Sequence, residues 1–250
     1  LNRHPCRALV VVIDPDECEL TAQLTGLIRT QRKVRALVLE KLTIEAGWGD
    51  FPKLANLIRP LLVNDIGSSL FWAAQLPESL DQISALAALV DRTIVDSTLF
   101  AGDNWRSLGK IQDCEPLDLA WLRIGPWRRA LAETFEHFEW QPEQPETDIT
   151  LVHGMAFGSL GASRCLEAWL TEQLSATVRL VEEEGDGPDN EPWLLDLEHG
   201  PSHVQIRHLR TESRLLATIT QKDRGLLPTY TQATRGSRSQ LLAAALDLSW

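Results

Sequence analysis

The chain has 250 residues, enough for one large domain or two of ordinary size, and 44% of them are hydrophobic, which supplies material for a core. Its 35 acidic and 24 basic residues give a net charge of −11, and Arg235 and Arg238 make no basic stripe, so nucleic acid is disfavoured as a partner. No apolar run reaches the length of a bilayer span and no secretory signal is visible, so we expect a cytoplasmic protein without membrane association.

The first predicted unit is a strand, a helix and a strand. Residues 7–13 form an apolar, β-branched run typical of a strand buried on both faces. A helix reaching about residue 32 is predicted next by apolar side chains at helical spacing: Leu20, Leu24, Leu27 and Ile28. Residues 34–39 resume β character, and residues 41–46 either extend that strand or form another. The pattern predicts a β-α-β unit, in which the two strands are parallel.

A second unit of the same kind follows. Its first helix, ended or kinked near Pro60, is predicted by another helical stripe: Leu54, Leu57, Ile58, Leu61 and Leu62. Residues 68–73 are predicted as a buried strand, and Ser79 with Gln82 forms a capping box that opens the next helix. Residues 92–96 return as a strand. The first part of the chain is therefore predicted to contain a mostly parallel sheet with flanking helices.

Residues 139–148 place two prolines among acids and amides, which is typical of a linker. A helix beginning at Gly125 and Pro126 precedes this segment. After residues 139–148 we predict a strand at residues 149–153 and a helix at residues 162–174. Four β-like runs follow, at residues 177–182, 193–198, 203–208 and 215–220, and a helix at residues 237–248 closes the chain. We therefore predict an α/β domain over residues 1–140 and a smaller α+β domain with an antiparallel meander over residues 148–250.

The turn after the first strand, Asp14 to Glu17, is unsuited to a dinucleotide. It offers three carboxylates and a proline without an N–H, where a pyrophosphate needs glycine and free backbone donors. A glycine-rich stretch at residues 154–161 lacks the following Lys-Ser/Thr of a P-loop. We read it as a strand-to-helix turn, although the N-terminus of its helix could still receive an anion. No cofactor is expected.

The search for catalytic and metal-binding residues gives none. His199, His203 and His208 are the one histidine cluster, but His203 and His208 point to opposite faces of a regular strand. No Gly-x-Ser-x-Gly elbow or local Cys/His signature is present, and the four scattered cysteines are expected to be reduced thiols. Asp65 and Asp96 lie near strand boundaries, where capping is the commoner role. We therefore expect no metal site and no enzyme.

Residues 118–129 combine two tryptophans with three arginines, the residue types that most often anchor protein interfaces. The alternative is that the tryptophans pack in the core while the arginines face solvent, and we expect a mixture of the two. The candidate partner-binding residues are Trp72, Trp121, Arg123, Trp127 and Arg128.

At this segment the chain resembles the OpcA family of glucose-6-phosphate dehydrogenase assembly proteins. Four ordered blocks carry the resemblance: residues 4–7 (HPCR), residues 59–72 (beginning RPLLVND and ending LFW), residues 91–97 (DRTIVDS) and residues 118–135 (DLAWLRIGPWRRALAETF). The chain departs from the family pattern at Gly67, where proline is usual, and at Phe71, where tryptophan is usual. The region between Arg29 and Glu40 is shorter than expected and lacks a cysteine found there in phototroph members, which puts redox control in doubt.

The resemblance implies a non-catalytic partner that promotes assembly or activation of glucose-6-phosphate dehydrogenase in the oxidative pentose phosphate pathway. It supplies no catalytic residue. The competing interpretation is a sugar-phosphate-binding regulator or an orphan α/β enzyme that uses the carboxyl edge of the sheet. A basic pocket with convergent polar groups at that edge would favour the competing interpretation, and an aromatic-arginine patch would favour the assembly protein.

The acidic first turn predicts that the chain binds no nicotinamide nucleotide tightly and has no dehydrogenase activity of its own. Calorimetric titration with NADP should give no saturable heat, and the purified chain should not reduce NADP in the presence of glucose 6-phosphate. Low-micromolar affinity for NADP would contradict this prediction.

The linker composition predicts where the chain is cut first. Limited proteolysis should nick residues 139–148, because exposed segments rich in proline and polar residues are preferred sites of cleavage. Mass spectrometry of the first products locates the cut. Early cleavage within residues 7–96, with residues 139–148 left intact, would show that the boundary is wrong.

Overall fold

The structure is a computed structural model. It describes residues 8–13, 20–31, 34–62, 67–73, 80–100, 115–136, 147–154, 161–183, 192–221, 224–225, 228–233 and 236–247. Among the helices in these ranges, none combines the length and apolar character needed to cross a bilayer.

The first sheet consists of β1 (Ala8–Ile13), β2 (Thr21–Gln31) and β3 (Val34–Ala46), in the order β1-β3-β2. Of the two alternatives for residues 41–46, the structure has the extension of the second strand, and β1 is parallel to β3 as expected. The connection between these two strands contains β2, which pairs antiparallel with β3 from Thr21 to Gln31.

The predicted helix over Leu20–Arg32 is therefore wrong for its described residues. Two physical reasons favour a strand. Thr21, Thr25 and Gly26 are poor helix formers, and pairing with β3 satisfies backbone groups along nearly the whole segment. The leucine spacing indicated a helix, but tertiary pairing decided the structure.

The second β-α-β unit is confirmed. Strands β4, β5 and β6 are parallel and adjacent in that order, so the described part of the first half holds two three-stranded sheets where one was predicted. A 3₁₀ turn at Arg59–Leu61 follows the first helix, as expected from Pro60. Ser79 of the predicted capping box lies outside the described residues. The elements are α1 (Phe51–Ile58), β4 (Ser69–Trp72), α2 (Asp81–Ala87), β5 (Arg92–Val95) and β6 (Glu115–Asp118).

Both small sheets contribute to one hydrophobic core. Ile44 of β3 and Val95 of β5 are fully buried, and Leu54 of α1 and Ile83 of α2 lie in the same cluster. The helices α1 and α2 thus pack in the core that the two sheets share. Because Val95 is the last residue of β5, this shared core holds the carboxyl end of that strand in place.

The second half is a larger sheet with helices packed on it. The predicted meander is confirmed, because β9 (Pro192–His199), β10 (Ser202–Leu209) and β11 (Arg214–Gln221) are consecutive antiparallel neighbours. The strands β7 (Thr147–Gly154) and β8 (Val178–Glu183) are parallel, and the helix α5 (Gly161–Leu174) lies between them in sequence. Two further strands are β12 (Arg224–Gly225) and β13 (Thr229–Gln232). In the described residues the order is β12-β11-β10-β9-β7-β8, with β13 also paired to β11.

Four further helices connect the parts: α3 (Leu119–Arg123), α4 (Gly125–Phe135), α5 (Gly161–Leu174) and α6 (Arg238–Asp247). Trp127 and Leu131 of α4 share a core with Leu166 of α5 and Leu195 of β9. The helix before the predicted linker therefore packs on the sheet that follows it. A smaller core joins α6 to the first half, because Ala245 lies with Ile94 of β5 and Leu119 of α3.

Candidate functional site

The turn after β5 is one of the places where the two halves of the chain meet. It carries Asp96, Ser97 and Thr98, and it contacts α3, α5 and α6 through side chains far apart in sequence. Because β5 and β6 are parallel and Val95 pairs with Asp118, the carboxylates of Asp96 and Asp118 lie at the same edge of the sheet. We call this group of contacts the junction.

Asp96 is completely buried and is held by two arginines. The guanidinium of Arg123 donates from Nη1 to Oδ1 at 2.6 Å and from Nη2 to Oδ2 at 3.2 Å, which is a bidentate pair. Arg238 of α6 donates from Nε to Oδ2 at 2.9 Å, and the Thr98 hydroxyl donates to Oδ1 at 2.5 Å. Both oxygens of the carboxylate therefore accept hydrogen bonds, from three different side chains.

These contacts determine the charge of Asp96. Burial raises the pKa of this carboxyl, but hydrogen bonds from Arg123, Thr98 and Arg238 and the charge of Arg123 outweigh burial. The pKa of Asp96 therefore lies below its ordinary value, and the group is ionised at neutral pH. A buried carboxylate with this many donors serves as a structural anchor.

Asp118 ends β6 and caps α3. Its Oδ1 accepts from the backbone N–H of Ala120 at 2.9 Å and from that of Ser97 at 3.0 Å, so it ties the turn after β5 to the start of the helix. Burial raises the pKa of Asp118, and the nearby charge of Asp96 raises it further, while these hydrogen bonds lower it. The net effect is a pKa above the ordinary value.

The N-terminus of α5 presses against the same turn. A Cβ atom placed on Gly161 would lie 2.6 Å from Ser97 Oγ and 2.9 Å from the Ser97 carbonyl oxygen, closer than real Cβ contacts allow. Glycine is therefore required at residue 161 for this approach. Of the glycine-rich stretch read as a turn, Gly154 and Gly161 are described, and they end β7 and begin α5.

Arg128 and Trp121 form a stacked pair between α3 and α4. The Arg128 guanidinium carbon lies 3.7 Å from the centroid of a Trp121 ring, a cation–π geometry, and Nη2 donates to the Trp121 carbonyl at 3.5 Å. Burial lowers the pKa of Arg128, and its Nε is buried without a hydrogen-bond partner. Arg128 is only half-buried as a whole, and no carboxylate among the described residues pairs with it.

The structure separates the five candidate partner-binding residues into three groups. Trp72 and Trp127 are buried, in the N-terminal and C-terminal cores respectively, so they can only support a partner surface from beneath. Arg123 is half-buried and already paired with Asp96. Trp121 and Arg128 are half-buried and stacked on each other, and they remain available for contact with another molecule.

Sequence reasoning missed two partners in the junction. Asp96 was assigned a cap, and its side chain makes no capping bond to the turn that follows it. Arg238 was considered only as part of a short basic stretch, yet it binds a carboxylate 142 residues earlier in the chain. Nothing in local spacing signals such a pair. The bidentate partner Arg123 could have been suspected from the joint presence of Asp96 and Arg123 in two of the family-like blocks.

Cys165 of α5 does not have the properties of a nucleophile. Burial is the main factor that raises its pKa, to about 12, and the charge of Asp118 adds to the effect while that of Arg128 opposes it. The Cys165 thiol is free, and its raised pKa keeps it protonated at neutral pH. The other three cysteines, Cys6, Cys18 and Cys114, lie outside the described residues.

Within the described residues, one group has the spacing needed to hold a metal ion. Asp196, Glu198 and His203 each offer one ligand atom, and these atoms lie within 4.8 Å of one another. The sequence search considered histidine with histidine and expected no metal site. It overlooked the carboxylates on the neighbouring strand.

The fold and the junction define a mixed α/β protein whose two parts are joined by buried, ion-paired side chains. Comparison with known families gives its place among them. Residues 1–112 match a family model described as the glucose-6-phosphate dehydrogenase subunit N-terminal domain, and residues 115–249 match the model of the C-terminal domain of the same subunit. The chain therefore belongs to the OpcA glucose-6-phosphate dehydrogenase assembly family.

A curated relative agrees with this membership. The chain is 27% identical over 142 residues to a protein of Nostoc punctiforme named "Putative OxPP cycle protein OpcA". The match covers 54% of this chain and 30% of the relative. The descriptions of the two family models name glucose-6-phosphate dehydrogenase, and the name of the relative refers to the OxPP cycle.

The buried pair of Asp96 and Arg123 predicts an order of stabilities. Arg123→Ala should lower the free energy of unfolding by about 3 kcal/mol, the lower end of the cost of leaving a buried charge without its partner, because Arg238 remains. Arg238→Ala, which removes a half-exposed cation, should cost about 1 kcal/mol or less. Urea unfolding at pH 7 measures both, and Arg179→Ala, an exposed arginine bonded to Thr150, is the control.

The pH dependence gives a second readout. Since the pKa of Asp96 is lowered in the folded state, its stabilisation is present above about pH 4 and is lost as the pH falls through the folded-state pKa. The difference between the parent and Arg123→Ala should therefore shrink when unfolding is repeated near pH 3. An equal loss for Arg123→Ala and Arg238→Ala, or a difference independent of pH, would contradict the assigned roles.

Proposed function

We propose that this chain is a non-catalytic assembly factor or activator that binds glucose-6-phosphate dehydrogenase in the cytoplasm. The observation that carries the proposal is the stack of Arg128 on Trp121, because Arg123 is already paired with Asp96 in the junction and the other two candidates, Trp72 and Trp127, are buried in the hydrophobic cores. Family membership supports the choice of partner.

The Arg128–Trp121 stack has the chemistry of an interface anchor. A guanidinium held flat against an indole ring keeps its orientation, so little side-chain entropy remains to be lost when a carboxylate binds. Partial burial has already removed part of the solvent shell of Arg128, and no acidic group among the described residues compensates its charge. A partner carboxylate would supply that compensation, and the Trp121 ring would add buried apolar area.

The chemistry at the sheet edge supports a non-catalytic role. An enzyme of this fold class would place reactive acids at the carboxyl ends of parallel strands. Here Asp96 is enclosed by Arg123, Thr98 and Arg238, and the accepting oxygen of Asp118 is bound to backbone N–H groups. These acids stabilise the fold where an enzyme would hold substrate.

The same edge weighs against a sugar-phosphate-binding regulator. A phosphate needs convergent cations with free donors. The two arginines that reach this edge, Arg123 and Arg238, both pair with Asp96, and Asp118 adds a second carboxyl to the same place. In the described part of this edge the positive charges are therefore already paired with a carboxylate of the protein and are not free to bind a phosphate.

The direct test of the proposed function is reconstitution with the cognate glucose-6-phosphate dehydrogenase. The two purified proteins should co-elute in size-exclusion chromatography, and the chain should increase the rate of NADP reduction by the dehydrogenase while showing none alone. The mass of the complex by light scattering distinguishes a new dehydrogenase oligomer from activation without a change of oligomeric state. Absence of both a complex and a rate effect would refute the proposal.

The stacked pair predicts a specific loss of partner binding. Arg128→Ala should weaken binding to the dehydrogenase by about 2 kcal/mol, roughly thirtyfold in Kd, because truncating an anchor costs at least that much. Arg128→Lys should recover part of the loss, since lysine keeps the charge but not the planar fork. Biolayer interferometry with immobilised dehydrogenase measures the affinity of each variant for the enzyme, and thermal melting establishes that the variants fold.

The matched control is the neighbouring arginine. Arg129→Ala removes an exposed cation one residue further along the same helix and should change the affinity by less than about threefold. Normal binding and activation by a folded Arg128→Ala variant would place the interface elsewhere on the molecule. Equal losses in the Arg128 and Arg129 variants would indicate general electrostatic attraction without an anchor.

A further inference from the structure

The outer face of the C-terminal sheet carries an unusual set of charges. The strands alternate buried and more exposed residues, and on the more exposed face of β9 and β10 lie Asp196, Glu198, His203 and Gln205. His203 is the direct cross-strand neighbour of Glu198, and Gln205 is that of Asp196. Four polar side chains are therefore grouped on two adjacent strands of a regular ladder.

We propose that Asp196, Glu198 and His203 form a binding site for a divalent transition-metal ion, with zinc as the best-fitting ion. An imidazole nitrogen with two carboxylate oxygens is a donor set that Zn²⁺ accepts, and three protein ligands leave a position for water or another molecule's side chain. The site lies on the outer sheet face, away from the junction, and it is independent of the proposed dehydrogenase partner.

The distances allow coordination with a small side-chain movement. His203 Nε2 lies 2.7 Å from Asp196 Oδ1, and all three ligand atoms lie within 4.8 Å of one another. Tetrahedral zinc with bonds of about 2.1 Å places its ligand atoms about 3.4 Å apart. Glu198 is the exposed member of the group, and a change of rotamer suffices to bring its carboxylate closer.

A neighbouring residue already orients one of the ligands. The Gln205 side-chain amide donates to Asp196 Oδ2 at 3.1 Å, which leaves Oδ1 directed at the imidazole. Outer contacts of this kind hold ligating carboxylates in position and increase metal affinity. In the metal-free protein a proton on Nε2 lies between His203 and Asp196; when the ion takes its place, the neutral imidazole carries its proton on Nδ1 and presents the Nε2 lone pair to the metal.

The hydrogen bond between His203 and Asp196 does not explain why further acidic side chains lie on the same face of the sheet. Asp148 of β7 lies directly opposite Glu198 on the same face, and both are exposed. Like charges directly opposite each other on neighbouring strands are destabilising. No lysine or arginine in the described part of the chain forms an ion pair with Asp148 or Glu198. A cation bound beside Glu198 would relieve this repulsion.

The test is calorimetric titration of ZnCl₂ into the full, tag-free chain after removal of metal with a chelator. We expect saturable binding of one zinc ion per chain, and His203→Gln and Glu198→Gln should each weaken it at least about tenfold. Glu212→Gln, an exposed acid outside this sheet face, is the matched control and should bind zinc like the parent. The same titration with MgCl₂ should give much weaker binding.

Thermal melting gives a readout that does not depend on heats of binding. One equivalent of zinc should raise the Tm of the parent and of Glu212→Gln, and this increase should be lost in His203→Gln. The three substituted residues, Glu198, His203 and Glu212, are partly or fully exposed, so the variants should melt close to the parent without zinc. The proposal is overturned if the parent shows no saturable binding, or if the parent, His203→Gln and Glu198→Gln bind zinc equally well.

Discussion

The contact on which the arrangement of this protein depends is the buried carboxylate of Asp96 between Arg123 and Arg238. A carboxylate without exposure to water costs several kcal/mol unless it is paired, and Arg123 of α3 supplies the main cation while Arg238 of α6 adds a weaker, half-exposed one. The same turn receives Asp118 and the N-terminus of α5. The turn that carries Asp96 and Ser97 therefore contacts four elements from both halves of the chain, namely β6, α3, α5 and α6.

This constraint also explains why the tryptophan and arginine residues of residues 118–129 have different roles. The start of α3 is fixed by its cap, Asp118, and Arg123 is directed inward to Asp96. Trp127, on the following helix, packs against the C-terminal sheet. Trp121 and Arg128 then remain at the side of the junction, stacked on each other. A segment that looked uniform in composition is divided by the direction in which each side chain leaves its helix.

Most elements could be predicted from the sequence because their patterns are local. The β4-α2-β5 unit and the meander of β9 to β11 follow from apolar runs, alternation and turn residues, and each was confirmed. The failure at β2 has a clear physical origin, since its leucine spacing fitted a helix while its pairing with β3 depends on contacts that local spacing does not encode. The candidate site was found in part for the same reason. Trp121 and Arg128 could be chosen from the sequence because tryptophan and arginine often anchor interfaces, whereas the pair of Asp96 and Arg238 is brought together only by folding.

The distance along the chain between the partners of Asp96 has a consequence for biosynthesis. Arg238 follows Asp96 by 142 residues, so at about 5–20 residues per second the ribosome needs roughly 7–28 s to deliver it. During that interval the nascent first half can form its β-α-β unit and acquire Arg123, but the carboxylate still lacks the cation of α6. Docking of α6 is thus a late event in maturation, and a nascent chain interrupted before it leaves the apolar surface around Ile94 and Leu119 open to chaperones.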